Sequence, residues 1–159
     1  MKKPATSFLK VVVLLLAAVV LAAMLWFPQI EGRNANADWV TIYFRDPVLA
    51  FAYVATIPFF VALYQAYTLL GLIEQGEVFS ERSVKAVRVI KHCALTLLSF
   101  VLIGVAYIFF GVDGDDRAGP VALGIYIAFA TIVIAAAAAI FQHLLKKAAE
   151  LQSENDLTV

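Results

Sequence analysis

Charge is scarce in this 159-residue chain, in which 15% of the residues are charged, against about 25% in an average soluble domain. Hydrophobic residues make up 63% of the chain, where soluble domains have roughly 45–50%. A composition so apolar excludes a disordered chain and an ordinary water-soluble enzyme. The single cysteine excludes an internal disulfide and any metal site built from several cysteines. The formal net charge of zero gives no basis for direct binding to nucleic acid.

The charged residues are missing from four long stretches. No Asp, Glu, Lys or Arg occurs in residues 11–30, 47–73, 92–112 or 118–145. Each stretch has the roughly 20 residues that an α-helix needs to cross about 30 Å of hydrocarbon. The first is too long for the apolar core of a cleaved signal peptide, so we expect a retained anchor. The sequence therefore predicts an all-α integral membrane protein, one domain over residues 1–159, with transmembrane helices at about 9–29, 47–73, 92–112 and 119–144.

The positive charges predict the orientation of these helices. Nine of the twelve Lys and Arg residues fall in the two terminal tails and in the connection between helices 2 and 3, residues 74–91. The other two connections hold the remaining three. Because short cytoplasmic loops carry the excess of Lys and Arg, we expect both termini and the 74–91 connection to be cytoplasmic.

Helix 3 is predicted to begin before its apolar stretch. Ser80 is a good N-cap, and Phe79 and Val84 occupy the two positions of a hydrophobic staple. Apolar residues then recur at helical spacing with basic residues between them, Val84, Val87, Ile90 and Ala94 against Arg82, Lys85, Arg88 and Lys91. We expect this amphipathic start to extend helix 3 two or three turns into the cytoplasm.

The sequence contains neither acidic or basic residues in the middle of its predicted spans nor a known catalytic motif. No Asp, Glu, Lys, Arg or His lies in the middle of a predicted span, although proton-coupled transporters and voltage sensors depend on such residues. There is no nucleophile–base pair, phosphate-binding glycine loop or zinc-protease motif. We therefore expect no enzymatic activity and no cofactor.

Three side chains of types that bind zinc or copper are predicted near the cytoplasmic interface of the membrane. They are His92, Cys93 and His143. They lack the closely spaced ligand pairs of known metal motifs, and the acidic turn at residues 113–116 is too short for a calcium loop. We predict no metal site.

The most polar part of helix 2 includes Thr56, Gln65 and Thr68, which suit either interhelical hydrogen bonding or the lining of a path.

The segment from Gly76 to Ile90 resembles a bacterial family of small four-helix membrane proteins of unknown function, domain of unknown function 2975. In that family a G-x-x-F-S/T turn after helix 2 leads into a basic, amphipathic start of helix 3. The matching positions are Gly76, Phe79, Ser80, Lys85 and Arg88. Members are often encoded beside a small Cro-type helix-turn-helix regulator. The resemblance thus implies a role in membrane-linked gene regulation at the bacterial inner membrane, and it supplies no catalytic residues.

Two hypotheses follow for function. The first is a non-enzymatic inner-membrane protein whose 74–91 connection docks a cytoplasmic protein or anionic lipid. Its docking residues would be Phe79, Ser80, Arg82, Lys85, Arg88 and Lys91. The alternative is a homo-oligomeric channel or small-molecule transporter, with a path lined by Thr56, Gln65 and Thr68. A plainer interpretation gives the basic residues no role beyond setting the topology.

Overall fold

The computed structural model describes residues 3–30, 38, 40, 47–111 and 117–157, and long α-helices account for nearly all of them. In chain order they are α1 (Lys3–Ile30), α2 (Pro47–Glu74), α3 (Glu81–Gly111) and α4 (Ala118–Asp156). Each is long and apolar enough to cross a membrane. The prediction of an all-helical chain with four candidate spans is confirmed.

The structure shows the helix ends, which hydropathy alone does not determine. Helix α4 continues twelve residues beyond the predicted end at residue 144, to Asp156. Its last turns are charged and polar, but they contain no Gly or Pro and are rich in helix-forming Ala, Leu, Lys and Glu. Helix α3 begins at Glu81, directly after the predicted cap Ser80. Helix α2 runs without interruption on both sides of Pro58.

The helices pack in the order of the sequence, α1 on α2, α2 on α3, and α3 most extensively on α4. One face of α4 makes this last contact, with small residues at a spacing typical of close helix packing. Its buried members are Ala128, Thr131, Ala135, Ala138 and Leu145. Farther along, Gly124 lies so close to Val105 of α3 that an added Cβ would come within 3.0 Å of a Val105 methyl group. Gly124 and Ala128 thus serve contacts within the chain.

Helices α3 and α4 are antiparallel in a constant register. Val105 faces Gly124, and Val84 shares a buried cluster with Leu145. As many residues separate Val84 from Val105 on α3 as separate Gly124 from Leu145 on α4. Along the two helices, a position on α3 can therefore be matched to the α4 position at the same depth.

One well-packed region lies at the end of the molecule where α2 turns into α3. Its buried cluster consists of Val84, Val87, Ala138 and Leu145, with Leu69, Val78 and Ile90 packed against it. The rest of the helical surface is largely apolar and exposed. The chain has 11335 Å² of accessible surface, where a compact soluble protein of 17.3 kDa would have roughly 7,800 Å². A hydrocarbon environment accommodates such a surface without cost.

Candidate docking site

The connection between α2 and α3, residues 75–80, is a tight hydrogen-bonded turn, called here the α2–α3 turn. Helix α2 ends with the Gly76 amide donating to the Ile73 carbonyl and the Glu77 amide donating to the Leu72 carbonyl. This pair of bonds is the Schellman motif, which needs a left-handed residue after the helix. Gly76 supplies it, with a φ of 80°. The turn therefore has one defined conformation where it leaves α2.

Ser80 starts α3 as the sequence predicts. Its hydroxyl oxygen accepts a hydrogen bond from the Ser83 amide at 3.3 Å, and its carbonyl accepts one from the Val84 amide at 3.2 Å. Val78 packs against the cluster that contains Val84, whereas Phe79, the expected staple residue, is 51% exposed. The cap is confirmed, and half of the surface of Phe79 remains free to meet other molecules.

Ser83 is a structural residue that the sequence did not single out. Its side chain is fully buried, and its hydroxyl donates to the Glu77 carbonyl at 2.9 Å. This bond ties the first turn of α3 back onto the α2–α3 turn. A polar residue on the same helix face as Val84 and Val87 is expected to be buried and therefore needs a hydrogen-bond partner. This pattern in the sequence could have indicated the structural role of Ser83.

An open pocket of about 440 Å³ lies between the α2–α3 turn and the end of α4. It is lined by Gly76, Glu77, Phe79, Ser80, Ala149, Gln152, Ser153 and Leu157. Two of its apolar residues are strongly exposed, Phe79 at 51% and Leu157 at 85%. The pocket therefore combines apolar anchoring surface with hydroxyl, amide and carboxylate groups at its walls.

The four basic residues of the start of α3, Arg82, Lys85, Arg88 and Lys91, are called here the basic face. Lys85 and Arg88 are exposed at its centre, and Arg82 and the half-buried Lys91 flank them. Among the described residues, none of the four has an ion-pair partner. The structure thus divides the predicted docking residues in two, with Phe79 and Ser80 at the pocket and the basic face along the outside of α3.

The candidate path residues of α2 do not form a common polar surface. Nine residues separate Thr56 from Gln65, which is two and a half helical turns and places them on opposite faces. The hydroxyls of Thr56 and Thr68 donate to carbonyls of their own helix, those of Tyr53 and Tyr64. This local bonding is the usual alternative to lining a path.

The structure does not bring His92, Cys93 and His143 together as the ligands of a metal ion. The His92 ring nitrogen Nδ1 lies 2.7 Å from the Arg88 carbonyl oxygen, within its own helix. In the part of the chain that the structure describes, no three His, Cys, Asp or Glu side chains are placed to hold a metal ion. The acidic turn at residues 113–116 lies outside that part.

An ion pair joins α1 and α2, a contact that the sequence does not predict. Lys10 and Glu74 are 2.5 Å apart and partly buried, and the Lys10 ammonium lies 5.3 Å from the centre of the Tyr67 ring. At the other end of the two helices, the Tyr53 hydroxyl donates to the Met24 carbonyl at 2.7 Å. These contacts hold α1 onto α2 at both ends. No sequence pattern connects residues so far apart.

Comparisons with known proteins give the family of this chain and a membrane protein as its relative. The family described as "Protein of unknown function (DUF2975)" matches residues 3–159. The chain is 38% identical over 160 residues to "Uncharacterized membrane protein YoaS" of Bacillus subtilis (strain 168), and the match covers 100% of both chains. No solved structure matches it. The chain is therefore a membrane protein that belongs to the DUF2975 family.

Proposed function

We propose that this chain is a non-enzymatic protein of the bacterial inner membrane that docks a soluble protein partner at its cytoplasmic end. The supporting observation is the exposed ring of Phe79 beside the pocket between the α2–α3 turn and the end of α4. Aromatic side chains next to a pocket are typical anchors of protein interfaces.

The pocket lies beyond the depth at which lipid would explain an exposed phenylalanine. Helix α4 has 39 residues and a length of about 58 Å, nearly twice the roughly 30 Å of hydrocarbon. Its last two turns, from Ala149 onward, line the pocket. Exposed apolar side chains at this distance from the hydrocarbon face water, where such a patch is typical of an interaction site.

The rigidity of the α2–α3 turn also favours docking. The Schellman motif at Gly76, the cap by Ser80 and the bond from Ser83 to Glu77 hold the backbone on both sides of Phe79. A side chain presented on a fixed backbone loses little conformational entropy when a partner binds. The anchor is therefore pre-organised.

The proposal also concerns the side of the membrane on which the pocket lies and the kind of protein that binds there. The end that carries the pocket also carries nine of the twelve Lys and Arg residues, so the positive-inside rule makes it cytoplasmic. Together with the family resemblance, this favours a small helix-turn-helix regulator as the partner, held at the membrane without contact between this chain and nucleic acid.

The test compares two exposed apolar residues outside the hydrocarbon. Phe79→Ala removes the anchor, and Leu151→Ala removes a 67% exposed side chain of α4 that does not line the pocket. The tagged full chain is cross-linked in its native host and captured, and the soluble protein bound to it is identified. Phe79→Ala should reduce the yield of that protein at least about tenfold, because an anchor of this kind contributes about 2 kcal/mol. Leu151→Ala should leave it unchanged.

Equal yields with Phe79→Ala and the unaltered chain, at equal thermal stability, would refute docking at this pocket. The size of the protein in mild detergent tests the channel alternative independently. Four such helices line a pore only in several copies, so a monomer would exclude a channel and leave docking in place. A large homo-oligomer that conducts in planar bilayers would favour the channel.

A further inference from the structure

The depth of the basic face along α3 indicates a second binding surface. Helix α3 ends at Gly111, and about 20 residues, or 30 Å, counted back from there reach His92. The headgroup layer occupies the next roughly 5–7 Å. Lys91 and Arg88 fall inside this layer, and Lys85 lies within reach at its outer edge.

The neighbouring helix supports the same depth. In the constant register of α3 and α4, Arg88 is level with Phe141 and Lys85 is level with Leu144, and both of these α4 side chains are exposed. Aromatic and apolar side chains exposed at this level are typical of the membrane boundary. On α2, Tyr67 is exposed close to Leu69, which packs against the cluster of Val84 and Val87. The three cations therefore lie at the depth of the membrane boundary rather than in bulk water.

These cations, Lys85, Arg88 and Lys91, lack a counter-ion within the part of the chain that the structure describes. By contrast, Lys146 on α4 pairs with Glu150 at 3.8 Å, and Lys10 pairs with Glu74. The anions available at the depth of the basic face are lipid phosphates, and a guanidinium matches a phosphate with two parallel hydrogen bonds.

We infer that Lys85, Arg88 and Lys91 form a binding site for the phosphate of an anionic glycerophospholipid. Each cation near a charged membrane surface contributes about five-fold in affinity, so three contribute about 100-fold. Both leaflets contain phosphates, so this inference depends on the depth of α3 and not on its orientation. It is also independent of the protein partner, because Phe79 takes no part in it.

The experiment uses the full chain reconstituted in phosphatidylcholine vesicles that contain a minor fraction of phosphatidylglycerol. Native mass spectrometry then counts the lipids that stay bound. The site variant combines Lys85→Gln, Arg88→Gln and Lys91→Gln. The matched control combines Arg82→Gln, Lys146→Gln and Lys147→Gln, which removes as much charge from the same end of the molecule but farther from the hydrocarbon, since Arg82 and Lys147 are level in the α3–α4 register.

The unaltered chain and the control should retain phosphatidylglycerol well above its share of the vesicle lipid, and the site variant should lose this enrichment. Equal losses in both variants would show a general effect of charge and would overturn the site. An unaltered chain without enrichment would overturn it as well. Inorganic phosphate at high concentration should not displace the lipid, and full displacement would show a site for free phosphate instead.

A further variant separates loss of binding from loss of folding. Exchanging Lys for Arg and Arg for Lys at positions 85, 88 and 91 keeps the charge at the same depth, so the enrichment should persist. If a folded exchange variant lost it, lipid recognition by charge at this depth would be refuted. If the site variant kept its lipid but lost the captured soluble protein, the basic face would be a protein surface and the inference would be wrong.

Discussion

The close contact between Gly124 and Val105 predicts that Gly124→Ala lowers the stability of the helix bundle. In Gly124→Ala the added methyl group would lie closer than 3.0 Å to a Val105 methyl group, whereas carbon atoms pack best at about 3.5–4.0 Å. Valine in a helix has one strongly preferred rotamer, so Val105 cannot turn away. The two helices must therefore separate, and overpacking of this kind costs about 1–3 kcal/mol.

Thermal unfolding in a mild detergent measures this cost. For a chain of this length the expected loss corresponds to a melting temperature lower by roughly 2–12 °C. Gly104→Ala is the matched control, in the middle of α3, because an added Cβ there comes no closer than 3.5 Å to a ring carbon of Phe51, an ordinary van der Waals contact. The control should be neutral or slightly stabilising, since alanine favours a helix more than glycine does.

A double variant tests the cause of the loss. Val105→Ala alone should destabilise the protein by leaving a small cavity. Combined with Gly124→Ala it makes room for the new methyl group, so the double variant should be more stable than the sum of the single effects predicts. Additive effects, or a Gly124→Ala variant as stable as the control, would refute the close packing of α3 on α4 at this point.

Four further predictions concern single features. Ser80→Ala should cost about 0.5–2 kcal/mol of local stability, seen as faster hydrogen exchange at the first amides of α3, and unchanged exchange would contradict the cap. A double-mutant cycle with Lys10→Gln and Glu74→Gln should give a coupling energy of about 1 kcal/mol for this partly buried pair, and zero coupling would show that it does not hold α1. Cys93, the single thiol, should react with an impermeant maleimide only after cells are opened, and labelling of intact cells would reverse the proposed orientation. Proteoliposomes with an internal pH dye should show no substrate-dependent proton flux above that of empty vesicles, and a reproducible flux would favour a transporter.

The positions of the helices were predictable because the bilayer imposes simple local rules. A span needs about 20 residues without charge, and four such runs stand out in the sequence. The start of α3 was predictable for another local reason, since Ser80 satisfies backbone amides only a few residues away. The hydropathy pattern predicts only where the last span leaves the membrane, whereas helix propensity continues α4 to Asp156.

The candidate sites were only partly predictable. The sequence indicated Phe79 and the basic residues as docking candidates within one segment. It did not indicate that Leu157 and Ala149, some seventy residues away, complete a pocket with Phe79. Nor did it separate Phe79 at the pocket from Lys85 and Arg88 along the outside of α3, because that separation depends on which face of α3 packs against α2 and α4.

Length, charge and capping act over one helical turn or one span, so the sequence alone predicts a membrane protein of four long helices and the start of α3. The contacts of Lys10 with Glu74 and of Gly124 with Val105 are instead visible only in the folded chain. Such contacts depend on the rotation and axial register of one helix against another. In lipid no hydrophobic driving force sets these two quantities, so they follow from the detailed fit of side chains between helices, which no local pattern in the sequence records.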